Sequence, residues 1–247
     1  MKTILCVLTF SLILSGTALT APVTGPGARE ISASSDIPEL SGDFPQSCMM
    51  IRETTFLESG YQCSATIVSQ NKAITAAHCA EGKTWAPVKL YCGGKKLEYT
   101  GILKPNAKYS REAGFTPTNI NQDYGFITLD YGKIFSAAPM PYADSAHWEF
   151  FSSPDTCNCR IAGWGNNMRL FYAPVPELGN DDGVIFFGGD PKFLSGKNGI
   201  NPNGLDEGDS GGTLMCKYGQ TWYLVGVISA MGKNNMGAVA NVMDFKN

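Results

Sequence analysis

Gly208-Asp209-Ser210-Gly211-Gly212 sets one hydroxyl among glycines. The glycines let the backbone turn sharply and bring main-chain N–H groups to one point. Those of Gly208 and Ser210 are placed to stabilise the negative oxygen of a tetrahedral intermediate. A serine hydroxyl is a poor nucleophile unless a base takes its proton, and the base needs a carboxylate to fix its tautomer. Upstream, Thr75-Ala76-Ala77-His78-Cys79 offers an imidazole and Asn121-Gln122-Asp123-Tyr124-Gly125-Phe126 offers a carboxylate. Taken singly, these passages read as a core histidine beside a disulfide, a turn and a glycine loop. Taken together, in this order, they nominate His78, Asp123 and Ser210 as a catalytic triad. The other histidine, His147, has no nucleophile motif beside it and reads as a surface residue. No H-E-x-x-H motif exists, so no metal site is expected, and no cofactor is implied.

Around these passages the chain alternates short apolar runs with clusters of Gly, Pro, Asn and Asp. Strands are expected at Ser64–Ser69, Lys72–Ala76, Val88–Tyr91, Leu97–Leu103 and Gly125–Asp130. A second set is expected at Arg160–Ala162, Gly183–Phe187, Thr213–Cys216, Tyr223–Ser229 and Ala238–Val242. Many short strands at close spacing, with no long helical periodicity, indicate an all-β sandwich or barrel. Pro105–Asn121 and Gly196–Glu207 read as long loops, where binding and catalysis concentrate.

The N-terminus has a separate reading. Met1-Lys2, an apolar run from Ile4 to Leu14 and the small residues Ser15-Gly16-Thr17-Ala18 form a secretory signal pattern over 1–20. The run is shorter than the ~20 apolar residues that span a bilayer. Residues 21–30 are rich in Pro and Gly, a propeptide or flexible lead-in. A formal net charge of −3 without a Lys/Arg run argues against a nucleic-acid or anionic-membrane partner. In an oxidising compartment the cysteines read as bridges. With Cys6 removed, Cys48, Cys63, Cys79, Cys92, Cys157, Cys159 and Cys216 remain, an odd number, so at least one thiol is free or bonded outside the chain.

The passages around His78, Asp123 and Ser210 resemble those of the chymotrypsin/trypsin family, and the likeness extends over roughly residues 31–243. It implies two antiparallel six-stranded Greek-key β-barrels, about 31–135 and 136–247, with the active site between them. It also implies a Cys63–Cys79 disulfide around the histidine and a Cys159–Cys216 disulfide bracing the nucleophile loop. Cys48, Cys92 and Cys157 stay unassigned, with Cys48–Cys92 favoured because both fall in the first barrel. Ser229 corresponds to the serine that supports the aspartate. Gly204, Ser229, Met231 and Gly237 correspond to pocket positions, and Gly204 lacks the carboxylate that an Arg or Lys preference requires. The implied activity is secreted serine endopeptidase, acting as a monomer on protein or peptide substrates and open to a protein inhibitor. The alternatives are a non-catalytic homologue that binds a partner, or an esterase using the same triad.

The chain also departs from the family. Asp206 stands where a cysteine normally precedes the nucleophile, and that cysteine's partner is missing too. The middle loops of the second barrel lack their disulfide, Thr213 replaces a proline, and the sequence ends at Asn247 before the usual C-terminal helix. Fewer bridges imply a softer second barrel. The family's activation mechanism implies a zymogen whose new terminus, here Ile31, would pair with Asp209.

Overall fold

The computed structural model describes residues 44–52, 62–92, 97–110, 116–153, 155–165, 170–175, 177–188, 208–231 and 236–246. Its first half holds six strands: β1 (Ser47–Arg52), β2 (Gln62–Ile67), β3 (Lys72–Thr75), β4 (Ala86–Cys92), β5 (Leu97–Pro105) and β6 (Gly125–Leu129). They close into an antiparallel barrel in the order β1-β2-β3-β6-β5-β4. Its interior is lined by alternate residues such as Met50, Ala65, Ile67, Ile74, Leu90, Leu103 and Ile127, each fully buried. Period-two alternation on a closed sheet leaves no unpaired edge and one packed face.

The second half holds β7 (Cys159–Gly163), β8 (Phe171–Val175), β9 (Glu177–Asp181), β10 (Val184–Gly188), β11 (Thr213–Tyr218), β12 (Thr221–Met231) and β13 (Met236–Asn241). That is seven strands where six were expected, in the order β8-β7-β11-β12-β13-β10-β9. The difference has a simple origin: β8 ends at Val175 and β9 begins at Glu177, one residue further on. With β8 and β9 as two halves of one strand, the circular order is the same as in the first barrel. The fold is therefore the expected pair of Greek-key units.

All ten expected strands are present, and β1, β8 and β9 are additional. The Pro105–Asn121 loop contains one short helix, α1 (Pro117–Ile120), while Gly196–Glu207 lies outside the described residues. A second short helix, α2 (Trp148–Ser152), packs the buried Phe151 beneath the second sheet. Between the units, Met140 N–H still bonds to Ile67 of β2, whereas Ala143 N–H bonds to Leu224 of β12.

Among the described residues three disulfides are formed, Cys48–Cys92, Cys63–Cys79 and Cys159–Cys216, with Cys157 free. The two pairs implied by resemblance are both present, and so is the favoured third. Cys48 faces Cys92 directly across β1 and β4, and Cys159 faces Cys216 across β7 and β11. Each unit thus carries one cross-strand bridge at an equivalent kind of position. Among the described residues, no helix is long and apolar enough to cross a membrane.

Candidate active site

His78 sits in a 3₁₀ turn (Ala77–Ala80) that leaves the end of β3. Small buried residues, Ala76 and Ala77, let this turn press against the barrel, and Glu81 in the left-handed region (φ 49°) ends it. The Cys63–Cys79 bridge ties the turn to β2. The imidazole is largely buried and lies within 4.8 Å of the two bridge sulfurs. Both sulfurs are oxidised, so this trio offers no thiolate to a metal.

Asp123 lies in the turn after α1, whose N–H bonds run from Gln122 to Asn119 and from Asp123 to Ile120. It is fully buried, and an isolated buried carboxylate is costly unless donors surround it. Three do. The His78 backbone N–H donates to Oδ1 at 2.8 Å, His78 Nδ1 meets Oδ2 at 2.6 Å, and Ser229 Oγ donates to Oδ2 at 2.5 Å. Ser229 comes from β12 of the second unit, so both units grip one carboxylate. With Oδ2 accepting Nδ1–H, the histidine's Nε2 is left unprotonated in the neutral ring, which is the tautomer a general base needs.

Ser210 is half-buried, and its loop is held by backbone bonds on both sides. Its carbonyl accepts the Ser64 N–H of β2 at 2.7 Å. Gly211 N–H donates to Ile228, Gly212 N–H to Asp209, and Ile228 N–H returns to Gly212, each at 2.8 Å. Gly211 has φ +81°, and a Cβ there would collide with Thr75 Oγ1 and the Ser64 carbonyl oxygen. The Ser210 loop therefore lies directly on the strand that leads into His78, and Cys79 Sγ is 4.0 Å from the Ser210 carbonyl oxygen.

The family assignment rests on the match of fold and residues. The Trypsin family model covers residues 40–247. An α-fibrinogenase, albofibrase, from Trimeresurus albolabris is 30% identical over 213 residues, 77% of each chain. The thrombin-like enzyme elegaxobin-1 from Protobothrops elegans is 29% identical over 209 residues, 74% of this chain and 82% of that one. This chain belongs to the trypsin family of serine proteases. A thermostable serine protease from an extremophilic microorganism shares the fold, with a TM-score of 0.59 at 16% identity over 81% of this chain and 93% of that one.

The remaining trypsin-family positions fall as follows. Asp209 Oδ1 accepts the Gly165 N–H at 2.9 Å, and its carboxylate fills the space a side chain at Gly163 would need. Ile31 and Gly204 lie outside the described residues, as does the side chain of Met231 at the end of β12. Gly237 faces Phe187 across β13 and β10, and the Phe187 ring occupies the place a Cβ at 237 would take. The sequence carries no signal for this contact, because the register that sets Phe187 opposite Gly237 is defined by the folded sheet. His147 is less free than a surface residue. Its ring stacks on Phe151 and Tyr223, and Nδ1 lies 2.6 Å from Asp144 Oδ1.

Proposed function

We propose that this protein is a secreted serine endopeptidase that works through an acyl-enzyme on Ser210. His78 accepts the Ser210 proton as the hydroxyl attacks the peptide carbonyl, then delivers it to the leaving amine. Asp123 holds the imidazole and balances the imidazolium charge, and the Gly208 and Ser210 N–H groups receive the oxyanion. Water then repeats the sequence on the acyl group. The observation that carries this reading is the buried Asp123 carboxylate, bonded at once to His78 and to Ser229 from the other unit. A carboxylate sunk among three donors beside an imidazole is costly to build for packing alone.

The primary pocket is assigned to Gly204, Ser229, Met231 and Gly237. Without a carboxylate at 204, a buried Arg or Lys of the substrate would have no partner there. Preference for small or medium uncharged side chains is expected. Activation is assigned to trimming at Ile31, whose new ammonium group would pair with Asp209 and settle the oxyanion loop. The test is hydrolysis of a peptide library by the secreted, trimmed protein, followed by N-terminal sequencing. Cleavage after uncharged residues by a chain starting at Ile31 supports the reading. A profile dominated by Arg and Lys overturns the pocket assignment, and full activity from a chain starting near Ala21 overturns the activation site.

A further inference from the structure

Gly208 lies in the left-handed region, with φ +94°. Glycine has little conformational preference of its own, so the neighbours must select the geometry of this peptide. Two of them do. On one side, a Cβ at 208 would come within 2.8 Å of the Gly165 carbonyl carbon and oxygen, so the chain at 165 packs directly on it. On the other, Ser64 Oγ donates to the Gly208 carbonyl oxygen at 2.8 Å, and Ser64 is fully buried. The direction of that bond is fixed, because the same hydroxyl oxygen accepts the Trp164 N–H at 2.9 Å. The hydroxyl proton is left for the Gly208 carbonyl. The main chain of Ser64 completes the set: its N–H donates to the Ser210 carbonyl at 2.7 Å, and its carbonyl accepts Thr75 Oγ1 at 2.7 Å. One residue of β2 therefore bonds to both residues whose N–H groups would face the oxyanion, and to the strand leading into His78.

We propose that Ser64 is the positioning residue of the oxyanion site, its hydroxyl holding the Gly208–Asp209 peptide, which lies between the two amides, so that the Gly208 and Ser210 N–H groups converge; this rests on the triad reading above. Only a group that both accepts and donates bridges an N–H to a C=O, and a hydroxyl is the smallest side chain that does so. Alanine at 64 leaves the Trp164 N–H and the Gly208 carbonyl without partners in a buried place, and the Gly208 peptide turns to find others. The consequence falls on the transition state more than on substrate binding, because oxyanion contacts strengthen as the negative charge develops.

The experiment uses the full, activated protein and compares Ser64→Ala with Ser47→Ala. Ser47 accepts the Trp164 indole N–H at 3.2 Å in the same buried seam, but no bond joins it to Gly208 or Ser210. Ser64→Ala is expected to lower kcat by about 10- to 100-fold, less than loss of a direct oxyanion donor, with KM within about twofold. The carbonyl stretch of a cinnamoyl group on Ser210 should move to higher frequency as its hydrogen bonds weaken, a shift that simple destabilisation does not produce. Ser47→Ala should leave kcat and the stretch in place, and Ser64→Thr, which keeps the hydroxyl, should restore both. If Ser64→Ala does not fold, Ser64→Cys, with its weak S–H donor, is read in the same way. A folded Ser64→Ala with unchanged kcat and stretch, in a parent that acylates, overturns this proposal alone. A parent that forms no acyl-enzyme overturns the triad reading and this proposal with it.

Discussion

The two units share one circular strand order but hold their functional residues differently. The first closes through its own β1–β4 pairing and contains two of the three disulfides, Cys48–Cys92 and Cys63–Cys79. From that frame it presents His78 on the turn that leaves β3 and Asp123 on the turn between α1 and β6. The second has one disulfide, Cys159–Cys216, and supplies Ser210 from the loop that enters β11. That loop is held from both units: Ile228 and Gly165 of the second bond to it, and so does β2 of the first. Ser64 bonds to Gly208 and Ser210, and Thr66 of β2 shares a buried hydroxyl–hydroxyl bond with Thr213 of β11. The second unit lacks bridges usual to the family, and two buried hydroxyls of β2, those of Ser64 and Thr66, bond to it. The proposed triad, divided between two units, would depend on their seam as much as on either core.

The largest expected effect breaks the division itself. Asp123→Asn keeps the shape of the turn but removes the charge and leaves the imidazole free to adopt the wrong tautomer. Turnover should fall by about 10⁴-fold, with Tm little changed, measured by steady-state kinetics and thermal melting. Ser229→Ala removes the second unit's donor to the same carboxylate and should cost much less, because two His78 contacts remain. Equal losses would show that the seam, not the histidine contact, orients Asp123.

The disulfides test the comparison by length. Cys63 and Cys79 are separated by 16 residues, and Cys159 and Cys216 by 57. Constraint of the unfolded chain alone gives about 3 kcal/mol for the first and about 4 kcal/mol for the second. Paired serine substitutions, followed by denaturant unfolding, should show that order. If losing Cys159–Cys216 costs far less than losing Cys63–Cys79, the seam already carries most of the second unit's bracing.

The hydroxyl pair gives a smaller effect. Thr66→Val or Thr213→Val alone strands one buried hydroxyl and should cost about 1–3 kcal/mol. The double substitution should cost less than the sum of the two, and a double-mutant cycle measures the coupling. Additive losses would mean that the pair does not tie the units together. Smallest of all is the behaviour of Cys157. Burial pushes its thiol above the ordinary range, opposed in part by a backbone bond from Cys159. Alkylation follows the thiolate. Iodoacetamide should therefore label Cys157 more slowly than a free thiol at neutral pH, with the rate climbing only in more alkaline solution.

Much of this architecture is legible in the chain, because the decisive motifs are contiguous. Ala-Ala-His-Cys and Gly-Asp-Ser-Gly-Gly carry their own turns, small residues and neighbours. The strands that escape a sequence reading do so for physical reasons. β1 is Ser-Cys-Met-Met-Ile-Arg, poor in β-branched residues and buried along nearly its whole length, so it shows no alternation. β8 contains Pro174, which reads as a strand breaker yet is tolerated where one side of a strand needs no N–H. β9 contains Gly179 and Asn180, which read as a turn. Ser64 was illegible as a functional residue because its hydroxyl meets a carbonyl 144 positions away. The packing of Phe187 on Gly237 is hidden in the same way, by a register that only the folded sheet defines.

In the proposed mechanism His78 and Asp123 activate one hydroxyl, Ser210, across the seam. Treating the activated protein with a peptidyl phosphonate and locating the adduct by peptide mass spectrometry tests this directly. A single adduct on Ser210 is expected, formed in step with loss of proteolysis and abolished in Asp123→Asn or His78→Ala. An unlabelled Ser210 in folded, correctly trimmed protein would contradict it and favour a homologue that binds a partner without cutting it.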